Sequence, residues 1–295
     1  MTKQYANLGL FFQRGYYNEL TESVLADCTG DKRIQKAYFD DRNSELIESS
    51  KICISEESLI SNTVSLKLQT VYPGLITGIG MAHATGMEGE GKLGMVFDFT
   101  SGLPYIPGSS IKGLLRSMFP ILPANKSENR IDQKTKDLLP KKRQYICSIW
   151  NDIIVNKWSK TYPDMPLLQE LENSEIDELA KIIFEGGTAE SYSSIYDRDI
   201  FFDAQITGNY EEKGFLDFDY ITPHKEALKN PTPIKFLKIL PKVVFVFNFK
   251  LHDNMLSSGK RIPAEAKLWL FQEILTTVGI GAKTNVGYGQ LKEAK

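Results

Sequence analysis

Three histidines, His83, His224 and His252, are the only side chains here whose ordinary pKa lies near neutrality. His83, in a glycine-rich segment, is the nearest to a candidate general base. A metal-free ribonuclease needs an acid and a base at the scissile phosphate, and histidine commonly fills those roles. No second histidine or paired tyrosine is placed near it by sequence, so a structural or contact histidine is the competing reading. Cys28, Cys53 and Cys147 are odd in number and far apart, which points to neither a disulfide framework nor a C-x-x-C metal site. No metal and no cofactor are expected. No G-x-S-x-G or H-E-x-x-H pattern occurs.

Three segments have the composition to meet a phosphate. GMEGEGKL, at 86–93, approaches the P-loop pattern, but Leu93 stands where a hydroxyl must meet magnesium, and Glu88 and Glu90 oppose an anion. A glycine-rich hairpin explains it better. GIGAKTNVGYG, at 279–289, carries four glycines that leave backbone N–H groups unshielded, with Lys283, Thr284 and Asn285 adding donors. It lacks the dinucleotide fingerprint, because Thr284 stands where the third glycine belongs. A tight strand-connecting turn would look similar. IPGSSIKGLLR, at 106–116, opens a helix with Ser109 or Ser110 as N-cap and N–H groups that suit an anion. Lys112 and Arg116 are four apart and share a face, although a solvated surface helix has the same pattern. Gly113 is a poor helix former, costing about 1 kcal/mol against alanine, which implies close packing there.

The elements that must position these segments follow from periodicity. In VSLKLQTVY, Val64, Leu66, Leu68, Thr70 and Tyr72 alternate with polar residues, as in a strand with one buried face. The seven glycines of 74–94 then mark a long loop or irregular hairpin. A helix over 109–118 follows, with Ile111, Leu114, Leu115 and Met118 as its apolar face. From about 121 to 190 the chain becomes helical, polar and irregular, with helices around Gln144–Trp158 and Leu167–Phe184, the latter stopped by Gly186 and Gly187. This block reads as an insertion. RDIFFDAQI restores alternation, and a loop-like, proline-punctuated stretch covers 207–241. VVFVFNFKL then sets Val243, Phe245, Phe247 and Phe249 on one face. Pro263 opens a helix bearing Leu268, Phe271, Leu275 and Val278, which Gly279 ends, and a short last strand lies near Tyr288–Leu291.

This order predicts an α+β fold with helices on one face of a sheet, as in ferredoxin-like folds. A helical N-terminal segment, 1–60, precedes a core over 61–295 that carries the helical insertion. The 295 residues can bury a sizeable core, and 42% apolar with 24% charged is ordinary for a folded, soluble protein. No run of eighteen apolar residues occurs and the first residues lack a secretion-signal layout, so no membrane contact and a cytoplasmic location are expected. The net charge of −2 argues against a free-standing nucleic-acid binder, whose affinity comes largely from displaced counterions. RNA binding would need a local site or neighbouring subunits.

GLPYIPGSSIKGLLR, at 102–116, and GIGAKTNVGYGQL, at 279–291, resemble in type and order the first-helix signature and the C-terminal glycine loop of the RAMP superfamily of CRISPR systems. IFFDAQI at 200–206, DYITPH at 219–224 and GLITGIGMAHATG at 74–86 are similar to the branch formed by the sixth subunits of type III-B (Cmr) effector complexes. The chain departs from that branch at Lys225, where an aromatic residue is frequent, and at FDFTS before Gly102, where a His-Pro pair is common.

The resemblance implies a ferredoxin-like (RRM-like) core of two fused, related βαβ units. It implies a non-catalytic ribonucleoprotein subunit in antiviral defence that holds the 3′ part of the guide (crRNA) and its duplex with target RNA. Its partners would be the Cmr backbone subunit, the small helical subunit and the first Cmr subunit. Expected RNA-binding residues are His83, Ser109, Ser110, Lys112, Arg116, Gly281, Lys283, Thr284, Asn285 and Tyr288, the last as a stacking surface or a core residue. The alternatives are a metal-independent endoribonuclease that matures guide RNA through His83, and a subunit of the Csm branch.

Overall fold

The computed structural model describes residues 5–18, 20, 32–55, 61–77, 87–91, 95–121, 132–188, 191–192, 194–222 and 233–294. In chain order, helices α1 (Leu8–Gln13) and α2 (Lys32–Ser49) precede strands β1 (Cys53–Ile54), β2 (Val64–Thr70) and β3 (Tyr105–Ile106) and helix α3 (Gly108–Met118). The helical block holds α4 (Gln133–Asp152) and α5 (Asn173–Glu185). After it come β4 (Ile200–Phe201), β5 (Ala204–Asn209), β6 (Leu216–Ile221), β7 (Ile234–Ile239), β8 (Val244–Lys250), α6 (Ala264–Val278) and β9 (Leu291–Glu293).

One seven-stranded sheet organises the chain. Strands β1, β5, β8, β2 and β9 lie side by side in that order, while β3 pairs with β5 and β4 with β8. Every pairing is antiparallel. The alternation of VVFVFNFKL puts Val243, Phe245, Phe247 and Phe249 in the core, each at most 1% exposed. Against them α6 lays Leu270, Phe271, Ile274 and Leu275, all fully buried. The rings of Phe201, Phe249 and Phe271 meet at 5.5–5.8 Å between centroids, in tilted and edge-on geometries that aromatic quadrupoles favour. Leu8, Phe11, Phe12 and Leu46 of the N-terminal helices belong to the same apolar cluster, and β1 pairs with β5 at the sheet edge.

Four expectations are corrected. α4 begins at Gln133, well before Gln144: Asp132 caps it by accepting from Thr135 N–H at 2.7 Å, and buried Ile146 and Trp150 hold it despite Pro140. Arg143 ties α4 to α5 through two bonds to Asp177, at 3.1 and 2.7 Å. Within 207–241, the segments LDFDYI and IKFLKI form an antiparallel hairpin, β6–β7. LDFDYI shows the period of two, and the described prolines Pro233 and Pro241 fall outside the hairpin's strands. Tyr72 lies beyond β2 and is 81% exposed. At Gly113 no described residue lies within 4 Å of an added Cβ, so none of them packs there. Among the described residues, no helix is long and apolar enough to cross a membrane.

Candidate nucleic-acid interface

Gly279 stops α6 with φ +75, and its N–H donates to Leu275 O at 3.0 Å. The loop onward to β9 folds back on the segment after β2. Ala282 N–H donates to Ile76 O at 3.0 Å, Gly289 N–H to Gly74 O at 2.8 Å, and Ile280 N–H to Gly289 O at 2.9 Å. Val286 and Gly287 close a short turn on Lys283 O and Thr284 O, both at 3.1 Å. The N–H groups of Gly279, Gly287 and Gly289, three of the four glycines, are therefore committed within the fold. The glycines serve close backbone approach instead: a Cβ on Gly281, at φ +96, would overlap Ile76 O. What the loop offers outward is side chains, with Asn285 exposed and Lys283 and Thr284 half-buried.

Tyr288 is 8% exposed and edge-on to Phe236, with centroids 5.8 Å apart. Its hydroxyl donates to Asp219 at 2.7 Å, and Lys238 Nζ meets the same carboxylate at 2.6 Å. Burial and the adjacent Asp219 push the phenol well above its ordinary pKa, so it stays a donor at neutral pH. Burial alone would raise the Asp219 carboxyl, but the bonds from Lys238 and Tyr288 outweigh it and hold the group below its usual value. This lock pins hairpin β6–β7 to the glycine loop. Tyr288 thus sits as a packing residue rather than an open stacking ring.

Between the loop and α3 lies a cleft of about 280 Å³. Leu75, Ile106, Leu114 and Ile280 supply its apolar wall, and Ser110, Gly281 and Ala282 its rim. Thr77 lines it too, 2% exposed, with an Oγ1 that has no hydrogen-bond partner among the described residues. A buried hydroxyl left unpaired costs about 1–3 kcal/mol, so a polar group entering the cleft would gain by meeting it.

The start of α3 differs from expectation. Pro107 is its N-cap and makes no side-chain cap bond, and both Ser109 and Ser110 are exposed. Asp203, at the break between β4 and β5, instead accepts from Gly108 N–H at 2.7 Å. A carboxylate already complements the positive end of the helix, which removes the simplest reason for an anion there.

The structure brings Ser110 and Gly281 to one cleft, with Lys283, Thr284 and Asn285 on the turn that follows. Lys112 and Arg116 lie elsewhere on α3, toward β4 and α5: Lys112 Nζ is 5.8 Å from the Phe201 ring centre, and Arg116 Nη2 pairs with Glu185 at 2.7 Å. His83 and His224 lie outside the described residues. His252 follows β8, with its Nε2 buried and without a hydrogen-bond partner among the described residues. The sequence reading missed Thr77, Asp203 and Asp219. None of the three left a trace, since the alternation of RDIFFDAQI runs on through the strand break at Asp203. Among the described residues, no group of three or more His, Cys, Asp or Glu could hold a metal ion.

The chain is 28% identical over 215 residues to the CRISPR system Cmr subunit Cmr6 of Pyrococcus furiosus. That match covers 65% of this chain and 58% of the relative, so the chain spans a little over half the relative's length. Two solved structures are similar at lower levels. One is the cryo-EM structure of the Type III-B Cmr-beta bound to cognate target RNA (22% identity, TM-score 0.45, 90% of this chain and 66% of that one). The other is the crystal structure of Cmr6 from Pyrococcus furiosus (23% identity, TM-score 0.40, 79% and 98%). The RAMP superfamily profile matches residues 67–292, from β2 through the glycine loop to β9. A match over that much of the sheet and its crossovers settles the family: this chain belongs to the RAMP superfamily.

Proposed function

We propose that the chain is a non-catalytic, RNA-holding structural subunit of a type III-B (Cmr) CRISPR effector complex in the cytoplasm. The observation that carries this is the superfamily match over 67–292, joined to the likeness to Cmr6. The strand order β5-β8-β2-β9, with crossovers through α3 and α6, fits a ferredoxin-like core made of two βαβ units. In this role the cleft takes backbone and 2′-hydroxyl groups of guide RNA, which proteins hold by such contacts and by shape. Ser110 and Thr77 would donate inside it, and Lys283, Thr284 and Asn285 beside it. Ser109, Lys112 and Arg116 extend the contact along α3, Gly281 shapes the cleft wall, and Tyr288 positions the loop. The net charge of −2 fits a groove completed by the backbone subunit, the small helical subunit and the first Cmr subunit.

The test is co-purification with the other Cmr subunits and labelled guide RNA, together with a metal-free cleavage assay on the chain alone. The expected result is RNA retained in the complex, no cleavage, and retention weakened several-fold by Lys283→Ala. Failure to join the complex would refute the subunit role. Cleavage of repeat RNA by the isolated chain, abolished in His83→Ala, would make it a guide-processing endoribonuclease instead.

A further inference from the structure

The cleft between the glycine loop and α3 has a depth that sugar and phosphate contacts leave unexplained. Leu75, Ile106, Pro107, Leu114 and Ile280 form its wall, and none of the described residues lining it carries a charge. A phosphate drawn behind the rim would lose its water and meet no cation, which is costly. Lys283, on the turn that follows, stands outside the lining. What suits the depth is the neutral, flat part of a nucleotide.

The wall is built before any ligand arrives. Leu75 N–H donates to Ile239 O at 2.9 Å and Ile239 N–H to Leu75 O at 2.8 Å, which ties the wall to β7. Thr77 O accepts from Val96 N–H at 3.2 Å, so the residue is held in place by its backbone. Its Oγ1 nevertheless has no hydrogen-bond partner among the described residues, although Thr77 is only 2% exposed. Buried polar atoms in folded proteins are nearly always paired, so this one points to a group supplied from outside. At about 280 Å³ the cleft lies at the small end of small-molecule pockets, which run from about 300 to 1,000 Å³. It has room for one flat ring system but not for a base pair.

Bases splayed out of single-stranded RNA are gripped by side chains on their faces and by hydrogen bonds along their edges. A hydroxyl both donates and accepts, so Thr77 can meet the edge of any base, and such a pocket does not select sequence. An apolar peptide side chain would fill the wall but leave the hydroxyl unpaired.

We propose that the cleft is a nucleobase pocket. One unpaired base of the bound RNA turns in, with its faces on the apolar wall and its edge on Thr77 Oγ1, while its ribose and phosphate stay at the rim with Ser110 and Lys283. The pocket rests on the RNA-holding role and gives Thr77 a base to meet.

The test assembles the full chain with the other Cmr subunits around a guide whose 3′ part is oligouridine carrying 4-thiouridine throughout. The complex is irradiated with long-wavelength light and the crosslinked peptides are mapped by mass spectrometry. Crosslinks should fall within 75–77 and 280–282. Thr77→Val keeps the shape of the side chain, and it should reduce them and weaken guide retention about two- to ten-fold, the value of one neutral hydrogen bond. In the chain without RNA the same variant should leave the urea midpoint unchanged or raise it, because it removes an unpaired hydroxyl. A lowered midpoint would mean that the hydroxyl already has a partner, and would overturn the pocket. So would a retained guide with no crosslink in the cleft, or a guide with an abasic 3′ part retained as well as the uridine one; both leave the RNA-holding role standing. A complex that retains no guide removes that role and the pocket together.

Discussion

Asp199→Asn is the sharpest test of how the segment before β4 is held to α6. Asp199 and Lys267 form an ion pair with side chains 2% and 0% exposed, Oδ2 to Nζ at 2.5 Å. Asn254 Oδ1 accepts a second bond from the ammonium at 2.7 Å, and His252 N–H donates to Asp199 Oδ1 at 3.0 Å. Asparagine keeps the shape and can still accept from His252, but its amide NH2 then faces the Lys267 ammonium, so the change removes both the charge and the hydrogen bond from Lys267. At this burial salt cannot screen the loss, and an uncompensated buried charge costs about 3–5 kcal/mol. For a domain stable by about 5–15 kcal/mol that is a large fraction, and for a chain of 295 residues it lowers Tm by roughly 5–8 °C. The pH response has a defined sign. Burial depresses Lys267 against the opposing charge and hydrogen bond of Asp199, and removing Asp199 deepens the depression. Between that folded value and the unfolded value near ~10.4, the unfolded chain binds the extra proton, so the variant should regain stability as pH rises. Urea unfolding followed by far-UV circular dichroism at neutral pH and near pH 9.5 measures both effects. The apolar pair Asp199→Leu with Lys267→Met should recover most of the loss, since well-packed replacements of buried pairs are often neutral. A loss below about 1 kcal/mol, or a double variant as unstable as the single one, would refute the reasoning.

Two further outcomes follow from the glycine loop. Gly281→Ala must either abandon φ +96 or push Ile76 O aside, at a cost of about 1–3 kcal/mol; it should lower the urea midpoint and weaken guide retention, and an unchanged midpoint would contradict the close approach. Asp219→Asn should cost about 1.5–3 kcal/mol, toward the low end because Asp219 is 32% exposed, and speed hydrogen exchange at Gly289 and Ala282. Because the Asp219 carboxyl is held below its usual value, its contribution is present above about pH 4 and disappears as pH falls through the folded value. Exchange that is insensitive to acid in the wild type, or already fast at neutral pH, would show that the lock does not hold the loop.

Much of the architecture was legible because it is local. The period of two in VVFVFNFKL and VSLKLQTVY fixes which side chains face the core, and Pro263 and Gly279 bound α6 through backbone preferences that need no neighbour. The helical block was visible in outline, but its first helix runs back through a mixed-charge stretch and Pro140, sustained by the burial of Ile146 and Trp150 further along it. The hairpin β6–β7 was readable and was overlooked, since nearby prolines dominated a stretch whose strands they do not interrupt.

The site divides along the same line. Residue types alone pointed to the glycine loop and the start of α3 as segments suited to a phosphate, through glycines, hydroxyls and lysines at suitable spacing. Which donors remain available was decided elsewhere: Ile76 and Gly74 take the loop's N–H groups, and Asp203 caps α3 from 95 residues away. The sequence by itself determined the strands, the main helices and the family-like segments, because steric preference and hydrophobic period act between near neighbours. Only the tertiary structure decided that Lys112 and Arg116 lie toward β4 and α5 rather than the glycine loop, and that the Thr77 hydroxyl is buried without a hydrogen-bond partner among the described residues. Hydrogen-bond satisfaction and desolvation depend on groups that meet only after the sheet has assembled.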